Sequence, residues 1–188
     1  MMLISPSLRS RIVHTTPRCS GRLFLVHLRH EDEDLVIVAL YGVSSPTPSD
    51  DKKFMRAQLA DALTQIAQEY KGKPFMVVGD YNAAASPEDR GTGKLLPYDT
   101  APDAPTVVLM RLSLTDVYRH KSPHSKDYTW SNSMGQKSRI GAVYANDVAL
   151  DKAGGIKNIM SAIGRTPGPP GTDHPPHVYP ILVPDSPS

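Results

Sequence analysis

Asp80 and Asn82 stand two positions apart in Phe75-Met76-Val77-Val78-Gly79-Asp80-Tyr81-Asn82, just past the end of an apolar run. A carboxylate and a carboxamide that close can orient a water, offer hard oxygen ligands to a cation, or donate to a phosphate oxygen. A second polar group comes late in the chain, at Gly171-Thr172-Asp173-His174, where an imidazole follows a carboxylate. Histidine is the side chain suited to moving protons near neutral pH. Read alone, each group also fits a turn, because Asp and Asn favour turns and His174 lies in a Pro-rich loop. Zinc bound by Asp173, His174 and His177 would lack further ligands at usable spacing. The acidic block Glu31-Asp32-Glu33-Asp34 lacks the spacing and the glycine of a calcium loop.

These residues need elements to position them. Phe75 to Val78 reads as a buried strand, continuous, β-branched and aromatic, with turn formers on both sides. Gly79 lets the backbone leave the sheet, and α/β sheets tend to build sites past the carboxyl ends of their strands. Upstream, Arg22 to Leu28 and Leu35 to Tyr41 read as strands joined by the acidic block as a solvated hairpin loop, with a weaker strand at Arg11 to His14 and a strand tail at Met1 to Ile4. Ser49 caps a helix whose first turn carries Asp50 and Asp51, and whose apolar face is Met55, Leu59, Ala62, Leu63, Ile66 and Tyr70. Gly72 and Pro74 end it, so strand, helix and the Phe75 strand form a parallel, right-handed βαβ crossover.

Farther along, Ser86 to Gly91 is a turn cluster, Lys94 to Pro105 a surface loop, and Val107 to Leu114 a short buried helix. Strands follow at Tyr128 to Ser131, Ser138 to Tyr144 and Val178 to Val183, the last marked as an edge by Pro180. The 188 residues suit one domain over 1–184 with a short tail, 185–188. A net charge of +2 gives no global signature for nucleic acid, although residues 1–30 hold five arginines and no acid. Cys19 is alone, which excludes an intrachain disulfide. No apolar run reaches membrane-spanning length, and Met1 to Arg11 lacks a secretory core, so an intracellular protein, nuclear or cytoplasmic, is expected. The acid-poor start has the composition of a mitochondrial presequence, but Pro6 and Pro17 interrupt the helix it would need.

Four pieces stand in order: Leu40-Tyr41, Gly79-Asp80-Tyr81-Asn82, Ser138-Arg139-Ile140 and Thr172-Asp173-His174. The series resembles the endonuclease/exonuclease/phosphatase superfamily, the deoxyribonuclease I-like proteins. Leu114-Thr115-Asp116-Val117-Tyr118-Arg119 followed by Tyr128-Thr129-Trp130 looks most like the endonuclease domain of non-LTR (LINE-type) retrotransposons. The resemblance implies an α/β fold, a four-layer sandwich of two mixed β-sheets flanked by helices. It also implies a phosphodiesterase that nicks DNA by hydrolysis with Mg2+, or Mn2+ in its place, with DNA or RNA as partner and no membrane. By resemblance His174 is the general base or a phosphate contact, and Asp173 lies at the metal. Asp80 orients the attacking water, Asn82 holds a phosphate oxygen and Tyr41 faces the phosphate or leaving group. Thr129, Arg139 and Arg119 contact substrate.

Two departures bear on activity. Where the family places an Asp after Ser-Arg-Ile, to orient the catalytic histidine, this chain has Gly141. Loss of the equivalent carboxylate in a serine protease lowers the rate by about 10⁴. The family's first strand, with its Asn, and a following segment with a metal-binding Glu would precede residue 1, so the fold is expected without its first strand and helix. Hydrolysis is therefore expected to be weak or absent. Two other readings stand beside this one: a non-catalytic remnant that binds nucleic acid or protein through the basic Arg111–Arg139 region, and a phosphatase acting on a small or lipid phosphoester.

Overall fold

Four apolar runs, each able to bury both faces of a strand, become the middle of one sheet. The structure, a computed structural model, describes residues 6–30, 33–44 and 49–152. In chain order these form β1 (Ile12–Arg18), β2 (Leu23–His30), β3 (Glu33–Tyr41), α1 (Asp50–Glu69), β4 (Phe75–Asp80), α2 (Pro105–Arg111), β5 (Thr115–Asp116), α3 (Val117–Lys121), β6 (Trp130–Ser131), β7 (Lys137–Ser138), β8 (Gly141–Ala145) and α4 (Asp147–Lys152). The large sheet runs β1-β2-β3-β4-β8-β5. β3 and β4 are parallel, as the intervening α1 crossover requires, and the other neighbours are antiparallel. A second, two-stranded sheet pairs β6 with β7.

Alternate residues of each central strand feed two cores. Val36, Val38, Leu40 and Val77 pack on one face with Leu59, Leu63 and Ile66 of α1 and Val108 and Leu109 of α2. Ile37, Met76, Val78 and Val143 pack on the other with Val117 of α3 and Ala149 and Leu150 of α4. That alternation explains the unbroken apolar strands: a strand covered by helices on both faces has no solvent side. α1 begins as expected, with the Lys52 amide donating to Ser49 Oγ at 3.4 Å.

Two expectations need correction. Asp34, expected in a solvated loop, belongs to β3, and its carboxylate accepts from Lys73 Nζ at 2.6 Å, Arg29 Nε at 2.9 Å and the His27 ring at 2.8 Å. Lys73 foremost, with His27 and Arg29, holds that carboxyl well below the usual range, against a smaller upward push from burial. The run Ser138 to Tyr144, expected as one strand, divides at Arg139-Ile140: Ser138 ends β7 in the small sheet and Gly141 opens β8 in the large one. The break falls where the Arg139 amide donates to the Asp89 carbonyl at 2.7 Å instead of to a neighbouring strand.

The expected surface loop after Lys94 carries no regular structure, but it is anchored. Asp99, 2 % exposed, accepts from the amides of Ala84 and Leu96 and from the Arg90 guanidinium. The expected strands at Met1 to Ile4 and Val178 to Val183 lie outside the described residues.

Candidate active site

β3, β4 and β8 end or begin at one edge of the large sheet, and their last rungs build the site. Tyr41 pairs with Asp80 across the parallel ladder, and Asp80 pairs with Gly141 across the antiparallel one. The rungs continue one residue further, with the Gly42 amide donating to the Asp80 carbonyl and the Tyr81 amide to the Ile140 carbonyl, both at 2.7 Å. Two glycines permit this close approach. Gly79 has φ +153°, and a Cβ there would lie 1.9 Å from the Leu40 carbonyl oxygen; a Cβ on Gly42 would lie 2.1 Å from that of Tyr81.

The turn after β4 is made by its own side chains. The Asn82 amide donates to Asp80 Oδ1 at 2.9 Å, an Asx turn, and Asn82 adopts φ +51°, a left-handed conformation that Asn tolerates better than most residues. Tyr81 points inward, 1 % exposed, donating to the Val77 carbonyl at 2.9 Å and meeting the Tyr144 ring edge-on. Asp80 and Asn82 on either side stay half-buried. One N–H of the Asn82 carboxamide is taken by the Gly42 carbonyl at 3.0 Å, which fixes the side chain and leaves a second donor.

Tyr41 is 53 % exposed, with the Arg22 guanidinium 5.4 Å from its ring centre. Thr129 reaches the site from the side. Its hydroxyl oxygen accepts the Ile140 amide at 3.0 Å and the Gly141 amide at 2.8 Å, pinning the start of β8. It also lines an open groove of ≈ 330 Å3 with Lys126, Tyr128, Trp130 and Lys137.

Arg119 and Arg139 sit elsewhere. Both guanidiniums converge on Asp89, which is fully buried: Arg139 Nε lies 2.7 Å and Arg119 Nε 3.0 Å from its Oδ1, and Arg139 also pairs with Asp116. Arg139 is 5 % exposed. Burial pushes the Asp89 carboxyl up, but the two arginines outweigh it and hold the group below the usual carboxylate range. The network ties the turn after Asn82 to the β7–β8 junction and to α3. In this structure both arginines, assigned to substrate by the resemblance, are ion-paired with carboxylates and brace the site's supports.

Tyr41, Asp80, Asn82 and Thr129 are thus gathered at one sheet edge, with Gly141 among them. Asp173 and His174 lie outside the described residues. For Mg2+ the donor chemistry of Asp80 and Asn82 fits, being hard oxygen, although among the described residues no three His, Cys, Asp or Glu side chains group to hold a metal. Sequence reasoning passed over Arg22 and Gly42. The only signal for either was position, an arginine opening one strand and a glycine closing the next.

No protein-family model matches the sequence. Several solved structures match its fold. The 3'-5' exonuclease NExo from Neisseria meningitidis superposes with a TM-score of 0.54 at 16% identity, covering 80% of this chain and 60% of that one. The AP endonuclease LMAP from Leishmania major gives 0.56 at 16%, covering 82% and 52%. The endonuclease domain of TRAS1, a telomere-specific non-LTR retrotransposon, gives 0.53 at 12%, covering 86% and 64%. The chain thus has the deoxyribonuclease I-like α/β fold of these structures and spans less than two thirds of their length. Among the described residues no helix is long and apolar enough to cross a membrane.

Proposed function

We propose that this chain is a divalent-metal-dependent phosphodiesterase of the endonuclease type, retrotransposon-derived, that acts on DNA and hydrolyses it weakly. The observation that carries the reading is the Tyr41–Asp80–Gly141 rung, which sets a carboxylate at the sheet edge and braces Asn82 beside it. The fold shared with nucleases of 12–16% identity supports it.

In this reading Asp80, its Oδ1 held by the Asn82 amide, orients the attacking water. The second carboxamide donor of Asn82 holds a phosphate oxygen, and Tyr41 faces the phosphate or the leaving oxygen. His174 takes the water's proton, and Asp173 is the proposed metal ligand. Mg2+, with Mn2+ as substitute, neutralises charge on the phosphate when bound. Hydrolysis is weak because Gly141 offers no carboxylate to set the histidine tautomer.

A second reading, a nucleic-acid-binding domain without turnover, is favoured by the same glycine. Its expected surface is thinner than the sequence implied: Arg119 and Arg139 are taken by carboxylates, which leaves exposed Arg111, Lys121, Lys126 and Lys137. Hydrolysis of supercoiled plasmid and of a soluble phosphoester, each with Mg2+ and with chelator, tests the choice. Weak Mg2+-dependent plasmid nicking lost on Asp80→Asn supports the endonuclease reading. Salt-dependent binding without turnover supports the second, and faster turnover of the soluble ester indicates a phosphatase.

A further inference from the structure

We propose that Arg22 is a substrate-binding residue of this site, which holds a nucleic-acid backbone phosphate beside the one held by Asn82. The inference rests on the phosphodiesterase reading and extends its binding surface.

Arg22 is delivered by the tight turn between β1 and β2, in which Cys19, Ser20 and Gly21 all have positive φ and the Arg22 amide closes onto the Cys19 carbonyl at 3.1 Å. β2 runs antiparallel to β3, so its first residues lie at the sheet edge where β3 and β4 end. The Tyr41 amide donates to the Arg22 carbonyl at 2.8 Å, which places the arginine directly beside the rung that carries Asp80.

Arg22 Nη1 donates to the Gly42 carbonyl at 3.2 Å and reaches the Tyr41 carbonyl at 3.4 Å, while the guanidinium lies over the Tyr41 ring. The Gly42 oxygen is the one that Asn82 Nδ2 also reaches, so the Arg22 and Asn82 donors share an acceptor. Two backbone carbonyls and a ring face fix the orientation of the cation without neutralising it. Most other arginines of the sheet and its helices differ: Arg18, Arg29, Arg56, Arg90, Arg119 and Arg139 each face a carboxylate, and Arg11, which does not, lies before β1 with its Nη1 buried. Among the described residues Arg22 has no ion-paired carboxylate, and its Nε and Nη2 donors have no partner. A half-buried, oriented and unneutralised guanidinium next to a carboxamide donor is a fork for an oxyanion. A phosphate is the anion that the adjoining site would handle.

The test is binding of a fluorescent DNA duplex across a salt series, with wild type, Arg22→Ala, Arg22→Lys, Asn82→Gly and, as control, Arg9→Ala, which changes an exposed arginine before β1. Thermal unfolding of each variant checks folding. Arg22→Ala is expected to bind roughly tenfold more weakly and to lose about one unit of the salt slope. Arg22→Lys should keep the slope but recover only part of the affinity, because an ammonium cannot reproduce the fork. Arg9→Ala should match wild type. If Arg22→Ala and Arg22→Lys both bind as wild type does while Asn82→Gly weakens binding, Arg22 is only a brace and the proposal is overturned alone. If wild type shows no salt-dependent duplex binding, the phosphodiesterase reading falls and the proposal falls with it.

Discussion

Asp80 and Gly141 are opposite one another across the β4–β8 ladder, so the position where the resemblance would place an orienting carboxylate adjoins the carboxylate at the end of β4. The departure from the family pattern is therefore local. The strands, the turn and the Thr129 hydroxyl that fix this rung are all in place around a residue without a side chain.

Asn82 separates backbone from function. Its φ of +51° makes alanine there strained by about 1–2 kcal/mol, whereas glycine takes the conformation freely. Urea unfolding should show Asn82→Ala destabilised by that amount and Asn82→Gly closer to wild type. Both should lose the phosphate contact, so their DNA affinities should agree where their stabilities differ.

Gly79 is the least replaceable residue of the strand end. A Cβ 1.9 Å from the Leu40 carbonyl oxygen meets backbone, which cannot swing away as a side chain can. Gly79→Ala should open the β3–β4 ladder and lower stability by roughly 3 kcal/mol or more, read as a fall in the unfolding midpoint. An unchanged midpoint would mean that the two strands are not so closely paired.

Asp89 serves stability first. Removing its carboxylate leaves Arg119 without an ion partner and Arg139 with only Asp116, both guanidiniums being largely buried. Asp89→Ala should destabilise by about 3–5 kcal/mol. Asp89→Asn, which keeps the shape and loses the charge, should recover only part of that loss.

Acid should unfold the protein through the same groups. Asp34 and Asp89 have carboxyls held below their unfolded values. A depressed folded value means that the unfolded chain takes up protons first, so this stabilisation is present above the unfolded value of about 3.9 and is lost as pH falls through the folded one. Stability measured from pH 5 downward should fall, and Asp34→Asn should flatten the fall while lowering the plateau above it.

Much of the frame was legible because burial on both faces writes itself as unbroken apolar strands, and α1 as a periodic face with Ser49 before it. The site was legible in part, since Gly79-Asp80-Tyr81-Asn82 joins a buried strand to a polar turn. Other features were not legible, because they depend on contacts distant in sequence. Asp34 looks like any residue of an acidic loop until Lys73 arrives, thirty-nine positions on, to hold it. Arg139 and Arg119 read as cations for a substrate until Asp89 claims them. Arg22 carries no motif and gains meaning only when two strands bring it to Tyr41 and Gly42.

The most direct measurement is the nicking of supercoiled plasmid with Mg2+ by wild type and by Gly141→Asp. Faint nicking by wild type, raised tenfold or more by the new carboxylate and abolished when His174→Ala is added, is the predicted result. Robust nicking by wild type that Gly141→Asp leaves unchanged would contradict the account.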